Sequence, residues 1–104
     1  MKIKIDNKVL ELKEAKTFFD KFLGLMFKKN FNYCLRFKCN GIHTFFMKEE
    51  IDIILTDENN NILFIYQSFK KNRILFPKKN VYYTYELPCN TINNKNIKKI
   101  EILT

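Results

Sequence analysis

Period-two alternation of apolar and polar residues, broken at short intervals by turn-forming residues, is what most constrains this chain. Residues 1–5 and 8–12 alternate on either side of Asp6-Asn7, which reads as an opening β-hairpin. Tyr33, Leu35, Phe37 and Cys39 alternate with Cys34, Arg36 and Lys38, the pattern of a half-buried strand. Asn40-Gly41 is a turn signal and leads into an extended segment over residues 42–48. Residues 51–57 and 62–68 are apolar strands joined across Glu58-Asn59-Asn60-Asn61, a hairpin by its turn chemistry. Residues 73–76 make a short extended piece that stops at Pro77. Residues 81–87 form a Tyr-rich strand closed by Pro88. A polar stretch over residues 89–96 has room for a helical turn, and residues 97–103 are a last strand.

One stretch keeps a different period. Ala15, Phe18, Phe19, Phe22 and Leu23 fall at i, i+3, i+4, i+7 and i+8, the apolar stripe of an amphipathic helix. The change of period at Lys13 predicts its start, and Gly24 stands where a left-handed residue would stop it. The fold expected is therefore mainly β (α+β): a β-sandwich or partly closed barrel of about eight strands, with this one helix near the N-terminus. No internal repeat or linker divides the chain, so residues 1–104 read as a single domain.

Composition narrows the function classes. The absence of any apolar run near the roughly 20 residues that span a bilayer argues against membrane insertion. The N-terminus lacks the apolar run of a signal peptide, so a cytoplasmic location is the expectation. Cys34, Cys39 and Cys89 are odd in number, which rules out full intramolecular pairing and favours reduced thiols. With one His and no Cys-x-x-Cys pair, neither a metal nor another cofactor is expected. The net charge of +8 suggests nucleic acid until its make-up is considered. Lys, Asn, Ile and Phe make up about half of the chain, all are encoded by A/T-rich codons, and only Arg36 and Arg73 supply guanidinium groups. Nucleotide composition accounts for such lysines at least as well as a partner does.

Gly24-Leu25-Met26 after a helix, His43-Thr44-Phe45-Phe46-Met47-Lys48 leading to Ile51-Asp52-Ile53, and a late Glu86-Leu87-Pro88 occur here in that order. Together they resemble the domain of unknown function 192 family, found in bacteria and archaea. The resemblance extends from about Leu12 to Leu103. It implies a compact, mainly β domain with a single main helix, and it implies no activity. Glu49-Glu50 departs from the usual apolar-Pro or Thr-Leu-Pro lead-in, and Cys89-Asn90 from Ala-Gly. Asn tolerates left-handed backbone geometry, so Asn90 can make the turn that Gly would make.

Four sets of residues carry candidate chemistry. Cys39, His43 and Asp52 have the residue types of a nucleophilic set for a small hydrolase or transferase. No Gly-rich oxyanion loop accompanies them, and His43 reads equally as a strand residue satisfied by a carbonyl. Asp52 stands in an otherwise apolar strand, where a carboxylate must be hydrogen-bonded or charge-paired. It is either a cap for the backbone N–H groups of a neighbouring loop, such as that of residues 46–50, or the floor of a pocket. Met26, Phe45 and Met47 form a soft apolar set, with His43, Phe45 and Met47 on one strand face. They suit a core or an adaptable groove. Carrying the family pattern across, Met26, Met47, Lys48 and Asp52 are the positions at which to expect a cleft. Lys70, Lys71, Arg73, Lys78 and Lys79, interleaved with aromatic residues, could contact single-stranded nucleic acid. A non-catalytic module that binds a small molecule or another protein near Asp52, Met47 and Met26 is the leading expectation.

Overall fold

Alternation is realised as nine strands among the described residues of the computed structural model, which are residues 1–5, 8–15, 31–93, 96–97 and 100–103. Seven form one sheet, which curls into a half-barrel. At its heart β5 (Ile51–Thr56) lies between β6 (Ile62–Phe69) and β8 (Tyr83–Pro88), and all six β5 residues are buried. The sheet continues from β8 through β3 (Tyr33–Phe37), β2 (Lys8–Glu14) and β1 (Lys2–Ile5) to β9 (Glu101–Leu103). The β2–β3 pair is parallel and every other pair antiparallel. A separate two-stranded ribbon joins β4 (Ile42–His43) to β7 (Ile74–Leu75).

Strand parity assigns each side chain to one of two cores. Ile3, Ile5, Leu12, Cys34, Ile54, Tyr85, Leu87, Ile92 and Ile100 cluster on one face of the sheet. Leu35, Phe37, Met47, Ile51, Ile53, Leu55 and Leu75 cluster on the other, with Ala15. With apolar matter on both faces, β5 reads as an almost unbroken apolar run.

Several expected elements take their place in this sheet. The opening hairpin pairs Lys2 with Glu11 and Ile5 with Lys8, its turn lying outside the described residues. In the β5–β6 hairpin the Asp57 carboxylate accepts the N–H groups of Asn59 and Asn61, each at 2.9 Å, while Asn60 takes φ 65°.

Two expectations are corrected. The architecture of the described residues is one curled seven-stranded sheet with a ribbon, not a sandwich or barrel of about eight strands. The helix was to begin at Lys13, yet Lys13 and Glu14 continue β2, in register with Leu35 and Arg36, and no helix occurs among the described residues. The parallel partner β3 supplies the reason. Its backbone completes the ladder, the Ala15 N–H donates to the Arg36 carbonyl at 2.9 Å, and Glu14 and Arg36 form an ion pair side by side. Such tertiary pairing outweighs local periodicity. Residues 16–24, the rest of the expected helix, lie outside the described residues. The extended segment expected over residues 42–48 is also shorter, because β4 ends at His43 and the chain turns at Phe45-Phe46.

Candidate functional site

Asp52 is completely buried, and backbone geometry accounts for both of its oxygens. Oδ1 accepts the Ser68 N–H at 2.9 Å, and Oδ2 accepts the Ile92 N–H at 2.8 Å. The first contact exists because β6 carries an extra residue there. Ile51 pairs with Phe69 but Ile53 with Tyr66, and in this bulge Ser68 adopts φ 51° and turns its N–H toward β5. The second comes from the turn after β8, where Asn90 takes φ 68° in the left-handed geometry expected of it. Gln67 donates to the Ile92 carbonyl at 2.7 Å, and Ser68 Oγ lies 3.1 Å from Cys89 Sγ. Asp52 thus fastens a bulge and a loop to the central strand. Its role matches the cap anticipated from sequence, but the loops served are not residues 46–50.

Of the residues grouped with Asp52 by the family pattern, Met47 is not its neighbour. Asp52 pairs with Leu87 and shares the face of Ile54, whereas Met47 packs with Ile51, Ile53 and Leu75 on the opposite face. Lys48 is exposed, and Met26 lies outside the described residues. The carboxyl group that does share the Met47 face is Glu86, which the reading of candidate sites passed over. It is in register with Leu35 and Ile53, is 4% exposed, and its Oε1 has no hydrogen-bond partner among the described residues. Burial pushes its carboxyl up to about 8, so it is mostly protonated at neutral pH. The signal that marked Asp52, a carboxylate inside an apolar strand, marks Glu86 equally.

Asp52 does not converge with Cys39 into a nucleophilic set. Cys39 packs at the edge of the Met47 cluster, with Sγ 3.7 Å from the Gly41 carbonyl oxygen. The Asp52 carboxylate lies on the other side of the sheet. His43 stacks on Phe45, ring centroids 5.2 Å apart, and its Nδ1 accepts the Phe45 N–H at 3.3 Å. Burial, reinforced by Glu86, holds the Cys34 thiol well above its ordinary range, which makes it an inert core group.

The ribbon breaks the usual pattern of a strand pair. Its inward residues are conventional: Leu75 is buried, Ile42 half-buried, and both join the Met47 cluster. Pairing of His43 with Ile74 places these two on the outward face, Phe45 joins them by stacking on His43, and Phe76 follows directly after β7. Phe45, Ile74 and Phe76 are 38%, 49% and 67% exposed. The soft set anticipated from Phe45 and Met47 on one face is therefore split between solvent and core.

A hydrogen-bonded knot anchors this face. Thr44, buried, donates its hydroxyl to the Lys70 carbonyl at 2.8 Å and accepts the Arg73 N–H at 3.0 Å. Its own N–H reaches the Arg73 carbonyl at 2.8 Å. The Phe46 N–H donates to Asn72 Oδ1 at 3.1 Å, fixing Phe46 at φ 62° with its ring 63% exposed. A left-handed Phe is strained by about 1–2 kcal/mol relative to its ordinary conformations. An open groove of about 380 Å³ runs along the face between His43, Phe45, Ile74 and Pro77, with Gly41 in its lining. On the other side of Ile74, a second groove of about 480 Å³ is lined by Tyr66, Phe69, Lys70 and Arg73. The five basic residues singled out in the sequence flank β7: Lys70, Lys71 and Arg73 before it, Lys78 and Lys79 after it.

Together the curled sheet and its ribbon define a small mainly β domain with a displayed apolar surface. Comparison with known proteins gives the family. The chain belongs to the domain of unknown function 192 family, described as uncharacterised, whose profile matches residues 1–102. A UPF0127 protein of Thermococcus kodakarensis is 33% identical over 101 residues, covering 90% of this chain and 64% of that protein. Another, from Pyrococcus horikoshii, is 39% identical over 85 residues, covering 75% of this chain and 72% of that protein. The chain spans only 64%, 59% and 63% of the lengths of three Thermococcus relatives. Among solved structures, a Novosphingobium aromaticivorans protein of unknown function superposes with a TM-score of 0.80 at 16% identity, covering 97% of this chain and 82% of that one. A Sinorhizobium meliloti protein gives the same TM-score at 14% identity, covering 96% and 89%. These likenesses concern the fold.

Proposed function

We propose that the protein is a non-catalytic binding module whose contact surface is the outward face of the β4–β7 ribbon. One observation carries this reading: His43, Phe45 and Ile74 line one exposed groove on a ribbon whose other side already supplies the core, with Phe76 exposed just beyond β7. Contiguous apolar groups on a polar-rimmed surface mark interaction sites. The strain held at Phe46 supports it, since a left-handed aromatic persists only where its surroundings impose the geometry. Asp52, with both oxygens engaged by backbone, offers a ligand no free acceptor pair.

The test is a fragment screen read by two-dimensional NMR on isotope-labelled protein. Small aromatic and aliphatic fragments should shift the amides of residues 41–46 and 73–76 and leave Ser68 and Ile92 still. Hits confined to the Asp52 side, or none on the ribbon, would reject the reading.

A further inference from the structure

Resting on the ribbon as the contact surface, we propose that its partner is an acidic, apolar-anchored segment of another protein. The anchor side chain enters the groove beside Gly41, and a neighbouring carboxylate meets Lys70 and Arg73.

The two grooves meet at one residue. Ile74 lines both the apolar groove with His43, Phe45 and Pro77 and the basic one with Lys70 and Arg73. A ligand that fills the first and passes over Ile74 arrives at two cations. The apolar groove is held open by close backbone packing. Gly41 adopts φ 102°, and a Cβ there would meet Pro77 Cδ and Cγ at 3.1 Å, so a side chain at this position is both strained and crowded. Its volume, about 380 Å³ in an open trough, suits one inserted side chain and not an enclosed small molecule.

Charge decides what lies beside that side chain. Lys70 is 72% exposed and only loosely paired, its Nζ 3.6 Å from a Glu50 oxygen, so a ligand carboxylate can compete for it. The Arg73 guanidinium donates to the Asn72 carbonyl at 3.3 Å, and no carboxylate pairs with it among the described residues. The chain's net charge of +8 adds long-range attraction for an acidic partner and repels a basic one. Glu49 and Glu50, on the loop beside Phe46 and Met47, disfavour an anionic lipid surface, which would approach over a broad area. One face of Phe45 is already covered by His43, which limits stacking with nucleotide bases.

The experiment titrates labelled protein with three acetylated dipeptide amides, Phe-Glu, Phe-Gln and Phe-Lys, at low and at moderate salt. Phe-Glu should bind about three- to tenfold more tightly than Phe-Gln, the gain of a partly exposed charge contact, and Phe-Lys least tightly. The preference should vanish in Lys70→Gln/Arg73→Gln and shrink with salt. Equal affinities at residues 41–45 and 73–76 would overturn the acidic partner while leaving the ribbon reading intact. No ribbon shift with any probe would overturn both. Tighter binding of phosphatidylserine vesicles or oligothymidylate than of Phe-Glu would also overturn the proposal, assigning the surface to lipid or nucleic acid.

Discussion

Replacing Asp52 with asparagine should destabilise the protein by about 2–3 kcal/mol, a figure that follows from its two hydrogen bonds. The carboxylate is fully buried and accepts the N–H groups of Ser68 and Ile92. Asparagine keeps one acceptor oxygen and presents an NH₂ group to the other N–H. One charge-assisted bond, worth roughly 1.5–3 kcal/mol, is lost, and a buried donor left unsatisfied adds roughly 1–3 kcal/mol. Relief from burying a charge offsets part of that sum. Against a total stability of roughly 5–15 kcal/mol for a chain this long, the loss is substantial. It should lower the melting temperature by about 10–20 °C. Urea unfolding followed by circular dichroism gives the energy. Hydrogen exchange gives the location, because the Ser68 and Ile92 amides should lose protection beyond the global change. A variant within about 0.5 kcal/mol of wild type, the range of ordinary surface changes, would refute the structural role assigned to Asp52.

Other outcomes follow from neighbouring groups. Glu86 holds its proton more tightly folded than unfolded, its carboxyl standing at about 8 against an ordinary 4.5. Stability should therefore fall as pH rises from about 4.5 to about 8, by up to about 1.4 kcal/mol per pH unit, and level off above. Glu86→Gln should flatten this slope in urea titrations at several pH values, with its gain over wild type confined to the upper end. Phe46→Asn should raise stability by about 0.5–1 kcal/mol, since Asn tolerates the left-handed conformation better. A thermal melt checks it, and the same variant should weaken fragment binding at the ribbon. Thr44→Val removes the hydroxyl that bonds Lys70 and Arg73. It should cost about 2 kcal/mol and broaden the NMR signals of residues 72–76.

What the sequence made legible was local. The β5–β6 hairpin could be read because Asp57, Asn59, Asn60 and Asn61 carry their own turn chemistry within five residues. Asp52 could be read as a buried carboxylate needing donors, from the company it keeps in β5. The identity of those donors was not legible, because Ser68 and Ile92 are 16 and 40 residues away and reach Asp52 through a bulge and a turn. Grouping Met47 with Asp52 failed for a related reason. Residues 48–50 connect them irregularly, so parity on one side of that loop does not carry to the other, and the two side chains end on opposite faces. A helix starting at Lys13 was not realised because Lys13 and Glu14 find partners in β3, at Leu35 and Arg36, a long-range pairing that local periodicity does not carry. Apolar residues on both parities of the ribbon segments were visible in Ile42, His43, Phe45, Ile74, Leu75 and Phe76. Without the pairing of His43 with Ile74, they could not be divided between core and solvent.

The ribbon's outward face as contact surface is tested most directly by one paired measurement on Ile74→Ser/Phe76→Ser. Its melting temperature and its affinity for an aromatic fragment that binds wild type should be measured together. An unchanged melting temperature with binding weakened at least tenfold is the result predicted, because both side chains are about half exposed or more and support little of the core. A large fall in melting temperature would make them structural, and undiminished binding would place the contact surface elsewhere on the domain.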